Sequence, residues 1–122
     1  MQTKIKLGKE YPLRFDFNAL AEFEAMHGQS CLHVVASGNI GFLAIRNLVW
    51  AALISPMADE GEPVSPAIIG VMLQDEWIDK GKTTQELVKL VMNSVRESGL
   101  VSSKENDKGK KSPGKRSRQP KN

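Results

Sequence analysis

Little in this chain is equipped for covalent chemistry. It holds one cysteine, Cys31, and two histidines, His27 and His33. A single cysteine excludes an internal disulfide and fits a reducing compartment. These soft-metal ligands, scattered around a helix break, fall short of a closed tetrahedral zinc site, and residues 31 and 33 point to different sides of a helix. A Cys–His nucleophilic pair fails on the same geometry, with no further group to orient it. Gly8, Gly38 and Gly41 are not arranged as a phosphate-cradling loop after a strand. Asp59, Glu60 and Glu62 lack the ligand spacing and distal bidentate Glu of a calcium loop, so they read as a solvated loop. No catalytic residue, cofactor or metal is expected, and the chain is not expected to be an enzyme.

Long apolar runs are missing too. The most apolar stretch, "IGFLAIRNLVWAALI" at 40–54, is shorter than the roughly 20 residues a spanning helix needs, and Arg46 and Asn47 interrupt it. It reads as a buried helix, and no membrane is expected as a partner. The opening "MQTKIKLGKEYPLRF" has no apolar core of the kind a signal peptide carries. Positive charge is scarce in most of the chain. Residues 1–101 carry 9 Lys and Arg against 12 Asp and Glu, a balance of −3; residues 102–122 carry 8 against 2, a balance of +6. The basic character thus belongs to the C-terminal segment, which weakens any inference from net charge to a nucleic-acid-binding fold.

What is present is a regular set of element signals. Residues 3–17 read as a hairpin, with "KIKL" and "PLRF" as arms and "GKE" with Tyr11 as the turn. Leu13, Phe15 and Phe17 alternate with Arg14 and Asp16, as in a strand with one wet face. The period then changes to that of a helix. Asp16 or Asn18 can cap it, Phe15 and Leu20 occupy staple positions when Asp16 is the cap, and Gly28 supplies a left-handed stop. "QSCLHVVASGN" offers one or two helical turns between Ser30 and Gly38-Asn39. A long helix over about Gly41–Ile54 is apolar nearly all round, so it is expected to be central or to lie partly against a partner. "SPMADEGEPV" reads as an acidic loop. Ser65-Pro66 starts a further helix to about Lys80, with Ile69, Met72, Leu73 and Trp77 on one stripe and Gly81 as its stop. "TTQE" is a capping box that opens the last helix, which carries Leu87, Leu90, Val91, Ser94 and Val95 and ends at Ser98-Gly99.

From Ser102 onward the chain holds no apolar residue besides proline and glycine. Such a segment cannot bury enough surface to offset its chain entropy, so disorder is expected. The expected fold is mainly α: an N-terminal β-hairpin, a compact bundle of about four helices over residues 1–101, and a disordered basic tail over 102–122. Within the tail, Lys108, Lys110, Lys111, Lys115, Arg116 and Arg118 are candidates for salt-sensitive, non-specific attraction to polyanions such as nucleic acid. Without aromatic residues to stack on bases, a solubilising role explains them as well.

The stretch "YPLRFDFNALAEFEAMHG" at 11–28 carries a family resemblance. A polar hairpin, then L-x-x-x-F/L-N-A-L-A-E-x-E-x-x-x-G, a short helical turn and a long apolar helix, resembles the tail assembly chaperones of long-tailed phages. The branch shared with gene transfer agents is most similar. Leu13, Phe17, Asn18, Ala19, Leu20, Ala21, Glu22, Glu24 and Gly28 carry the match, and Leu48, Trp50 and Ala51-Ala52 continue its rhythm. The resemblance covers about residues 3–100. Phe23 departs from the family's aliphatic residue, and the basic tail lies outside the family pattern.

The resemblance implies a non-enzymatic helical protein of the bacterial host cytoplasm, made during virion assembly and absent from the mature virion. It implies the tape measure protein and tail tube subunits as partners, with self-association into a homo-oligomer. On the long apolar helix, Phe42, Leu43, Arg46, Trp50 and Leu53 are the candidate partner-binding residues, and Met26, Met57, Met72 and Met92 add adaptable apolar surface. Ordinary core packing is the competing reading for most of them. Many such chaperones are also read in a longer, frameshifted form, and Lys110-Lys111 is where a run of adenines could permit it. A reading from another class is a small phage- or plasmid-borne nucleic-acid-binding regulator that uses the tail.

Overall fold

Lys4–Leu7 (β1) and Lys9–Pro12 (β2) pair antiparallel, with Ile5 opposite Tyr11 and Leu7 opposite Lys9 across Gly8 alone. Gly8 has φ +84°, a left-handed conformation that a Cβ disfavours. The second arm therefore begins at Lys9, three residues before the Pro12 that the expected turn over "GKE" and Tyr11 requires. Burial explains the shift: Tyr11 joins Ile5 and Leu7 in the core, so it must lie on the ladder and not in the turn. Leu13 and Phe15 leave the ladder but are still buried, and the Leu13 N–H donates to the Thr3 carbonyl at 2.9 Å. The structure is a computed structural model and describes residues 2–100. The expected tail, its Lys108–Arg118 polyanion candidates and the Lys110-Lys111 frameshift site lie outside the described residues.

Five helices follow: Phe17–His27 (α1), Cys31–Ser37 (α2), Phe42–Asp59 (α3), Pro66–Leu73 (α4) and Thr84–Ser98 (α5). Asp16 and not Asn18 caps α1, its carboxylate accepting from the Ala19 N–H at 2.8 Å. Ser30, Ser65 and Thr83 cap α2, α4 and α5 in the same way, and both halves of the Thr83–Glu86 capping box are made.

The core is built around α3, which packs on α1, α4, α5 and β2. Its 18 residues have a mean hydropathy of 1.2, marginally enough for a membrane span by length and composition, yet most of the helix is buried within the fold. It also runs on past the expected end at Ile54, through Pro56 to Asp59. A proline inside a helix leaves the carbonyl four residues earlier without its N–H donor. Here that carbonyl is Ala52, and the Arg14 backbone N–H takes it up at 3.0 Å. The Arg14 guanidinium donates to Ser55 Oγ at 2.7 Å and lies 3.8 Å from Asp59. Arg14, read from sequence as wet-face strand, thus brackets the proline from both sides.

The helix begun at Pro66 passes without a break into a π turn over Gln74–Ile78. Ile69, Leu73 and Trp77, four residues apart, are all buried. On an α-helix each four-residue step runs ahead of the turn by about 40°. A wider π turn takes that drift back and keeps Trp77 over the core. The Trp77 indole N–H donates to the Thr83 carbonyl at 2.8 Å, tying the π turn to the start of α5. On α5, Leu87, Val91, Ser94 and Val95 are buried, and Ser94 Oγ donates to the Leu13 carbonyl at 3.2 Å.

Candidate functional site

The N-terminal end of α3, α4 with its π turn, and the start of α5 enclose a groove of about 620 Å³. From α3 come Phe42, Leu43, Ile45 and Arg46; from α4 Gly70 and Leu73; from the π turn Gln74 and Ile78; from α5 Thr84 and Leu87. Phe42 is 78% exposed, Leu43 57% and Ile78 40%, so the rim projects apolar surface into solvent. Ile68 and Val71 on α4 are also exposed, outside the groove lining. Exposed apolar residues gathered on a rigid helical frame suggest an interaction site, whereas scattered ones do not.

Arg46 is the one charged residue among the described groove residues. Its stem passes Gly70, where an added Cβ would meet Arg46 Cδ at 3.5 Å. Its Nε and Nη2 donate to Asn47 Oδ1 at 3.3 and 3.2 Å. Asn47 is 2% exposed, and with its oxygen held by Arg46 its Nδ2 faces His27 Nδ1 at 3.1 Å. His27 in turn stacks on the buried Phe23 ring, centroids 4.7 Å apart. This relay satisfies a buried amide and steadies the guanidinium at the groove wall. Among the described residues Arg46 makes no ion pair.

The five candidate partner-binding residues divide. Phe42, Leu43 and Arg46 line the groove, but Trp50 and Leu53 are 7% and 0% exposed in the core. Those two cannot meet a partner while the fold is intact. Sequence reading missed Ile78, Gln74 and Gly70, because periodicity marks the buried stripe of a helix and not the residues one step off it. No protein-family model, curated protein or solved structure matches the chain.

A second, smaller hollow of about 230 Å³ lies between α1 and α2. Phe17, Leu20, Ala21 and Leu32 line it with Glu24, Ser30, Cys31 and Leu100. Burial pushes the Cys31 thiol up to about 11, so little thiolate forms near neutral pH. His33 is exposed and His27 is engaged by Asn47. Among the described residues, no three His, Cys, Asp or Glu side chains gather as a metal site.

Asp59 and Glu60 are exposed and Glu62 is half-buried, and two of the three carboxylates are paired with Lys9. Lys9 lies 2.6 Å from Glu60 and 2.9 Å from Glu62, and the Tyr11 hydroxyl donates to Glu62 at 2.8 Å. The bonds from Lys9, then Tyr11, hold the Glu62 carboxyl below its ordinary range. Burial, then the Glu62 bond, raises the Tyr11 phenol, and the two carboxylates raise Lys9. These acids clamp the hairpin to the end of α3, a structural role.

Proposed function

We propose that the protein is a non-enzymatic phage tail assembly chaperone that holds a helical segment of the tape measure protein and helps gather tail tube subunits around it. The observation that carries this is the groove, open, helix-walled and rimmed by Phe42, Leu43 and Ile78. An amphipathic helix docks into such a groove by laying its apolar stripe along it. A rim projecting this far suits an elongated partner better than a small molecule, which pockets mostly enclose. The resemblance of residues 11–28 to tail assembly chaperones supports the same reading.

Co-expression of the full chain with the tape measure protein of its own genetic locus is the test. The tape measure protein is expected to stay soluble and to co-purify with the chain. Replacing Phe42 and Leu43 by serine is expected to abolish co-purification while thermal unfolding is unchanged. A tape measure protein that precipitates equally with and without the chain would remove the proposal. The alternative, a nucleic-acid-binding regulator, rests on the +6 balance of residues 102–122. The first turns of α4 and α5, residues 66–69 and 84–87, hold no Lys or Arg, so neither helix start offers a cation for phosphate or for guanine. Sequence-specific DNA binding by residues 1–101 alone would overturn the chaperone reading.

A further inference from the structure

The groove and the α1–α2 hollow are complementary to each other. Each displays a projecting phenylalanine, Phe42 and Phe17, both 78% exposed, beside an apolar concavity. Each contains one charged residue among those described, and the two are opposite in sign: Arg46 in the groove and Glu24 at the hollow. On α1, Phe17, Ala21 and Glu24 are all exposed at helical spacings of four and three. Phe17 and Ala21 are apolar anchors of the kind a helix lays into a groove, and Glu24 continues their face one turn on. No residue lines both concavities, and α1 and α4 pack separately on α3.

We infer that the occupant of the groove in the free protein is α1 of a second copy, with Phe17 in the groove and Glu24 against Arg46. The neighbour's Phe42 seats in the hollow between α1 and α2. Two different faces meet in this contact, so the association is head to tail, and each copy keeps one open groove and one open α1 face. Residues 102–122 are a poor occupant, because they offer no apolar side chain beyond proline to fill the groove. A neighbour's α1 and a bound partner helix use one groove and exclude each other. The inference stands on the two faces alone and does not need the partner to be a tape measure protein.

The test uses the full chain with no partner present, followed by sedimentation velocity across a wide concentration range. The wild-type chain is expected to form species that grow with concentration. Glu24→Arg and Arg46→Glu are each expected to weaken association by about tenfold or more, since like charges then face each other in the contact. Mixing the two variants is expected to restore it. In the mixture every junction pairs opposite charges, and a misfolded variant could not produce this recovery. Circular dichroism of each variant confirms that the helices persist. A wild-type chain that stays monomeric throughout overturns the inference, as does a mixture that remains as dissociated as its components. A symmetric dimer unaffected by either substitution overturns it too, and in none of these cases is the proposed chaperone role decided.

Discussion

Single residues set the chemistry this chain can and cannot perform. Cys31 is 4% exposed and its thiol is raised to about 11. Its alkylation at neutral pH is expected to follow unfolding, with rates that rise as denaturant is added; fast labelling of the native chain would contradict the buried position. Tyr11 links the hairpin to Glu62, and the linkage has a definite sign. Tyr11 and Lys9 are both raised in the folded chain above their ordinary 10.0 and 10.5. Their contribution is complete below about pH 10 and declines as pH climbs through the folded values. Glu62 is lowered from 4.5, so its contribution is present above that value and declines as pH falls through the folded one. Tyr11→Phe is expected to soften the alkaline decline and to shrink the acid one. Urea midpoints measured against pH for both proteins check this, and superimposable profiles would show that the phenol is not coupled to stability. That Cys31 has no disulfide partner within the chain was legible in the sequence. The Tyr11–Glu62 contact was not, because its partners lie 51 positions apart.

At the level of elements, sequence signals worked wherever the cause is local. Asp16, Ser30, Ser65 and Thr83 each bond an N–H three residues on, so the chain neighbourhood alone contains the reason for the helix start. Helix ends governed by distant residues were not legible. The stretch from Ser55 read as a loop because the effect of Pro56 on α3 depends on whether something replaces the lost donor, and Arg14 does so from 38 positions before Ala52. The π turn is another such case, since it exists to keep Trp77 in register with a core the local sequence does not contain. Gly70 lies inside α4 with no positive φ, and its added Cβ would make only ordinary contact with Arg46. Gly70→Ala is therefore expected to stabilise the fold by about 0.5–1 kcal/mol. At roughly 4–8 °C of melting temperature per kcal/mol for a domain of this size, the gain is measurable by thermal unfolding. A loss of stability would place Arg46 or α5 closer to Gly70 than the structure does.

For the whole molecule, the same helix serves two purposes at its two ends. The middle and C-terminal parts of α3 hold the core together, and its first turn opens onto the groove. Trp50→Lys and Phe42→Ser separate them. Trp50→Lys deletes a buried ring and buries a charge; losing the ring alone costs about 3–5 kcal/mol. That approaches the whole stability of a small domain, roughly 5–15 kcal/mol, so the variant is expected to be largely unfolded by circular dichroism. Phe42→Ser is expected to shift stability by no more than about 0.5 kcal/mol, as surface substitutions do. A folded Trp50→Lys protein would mean that the α3 core packs differently.

The sequence by itself determined the helical class, an N-terminal hairpin and the capped starts of α2, α4 and α5, and it narrowed the α1 cap to Asp16 or Asn18. Each of these follows from side chains within a few residues of the backbone they control. Only the tertiary structure decided where the hairpin turns, how far α3 runs, and which apolar residues stay outside. Those outcomes depend on Tyr11 competing for the core, on Arg14 reaching Ala52, and on the elements packed around α3 leaving Phe42 and Leu43 uncovered while burying Trp50 and Leu53. Hydrophobic pattern reports that a side chain avoids water; which surface it avoids water against is set by elements far away along the chain.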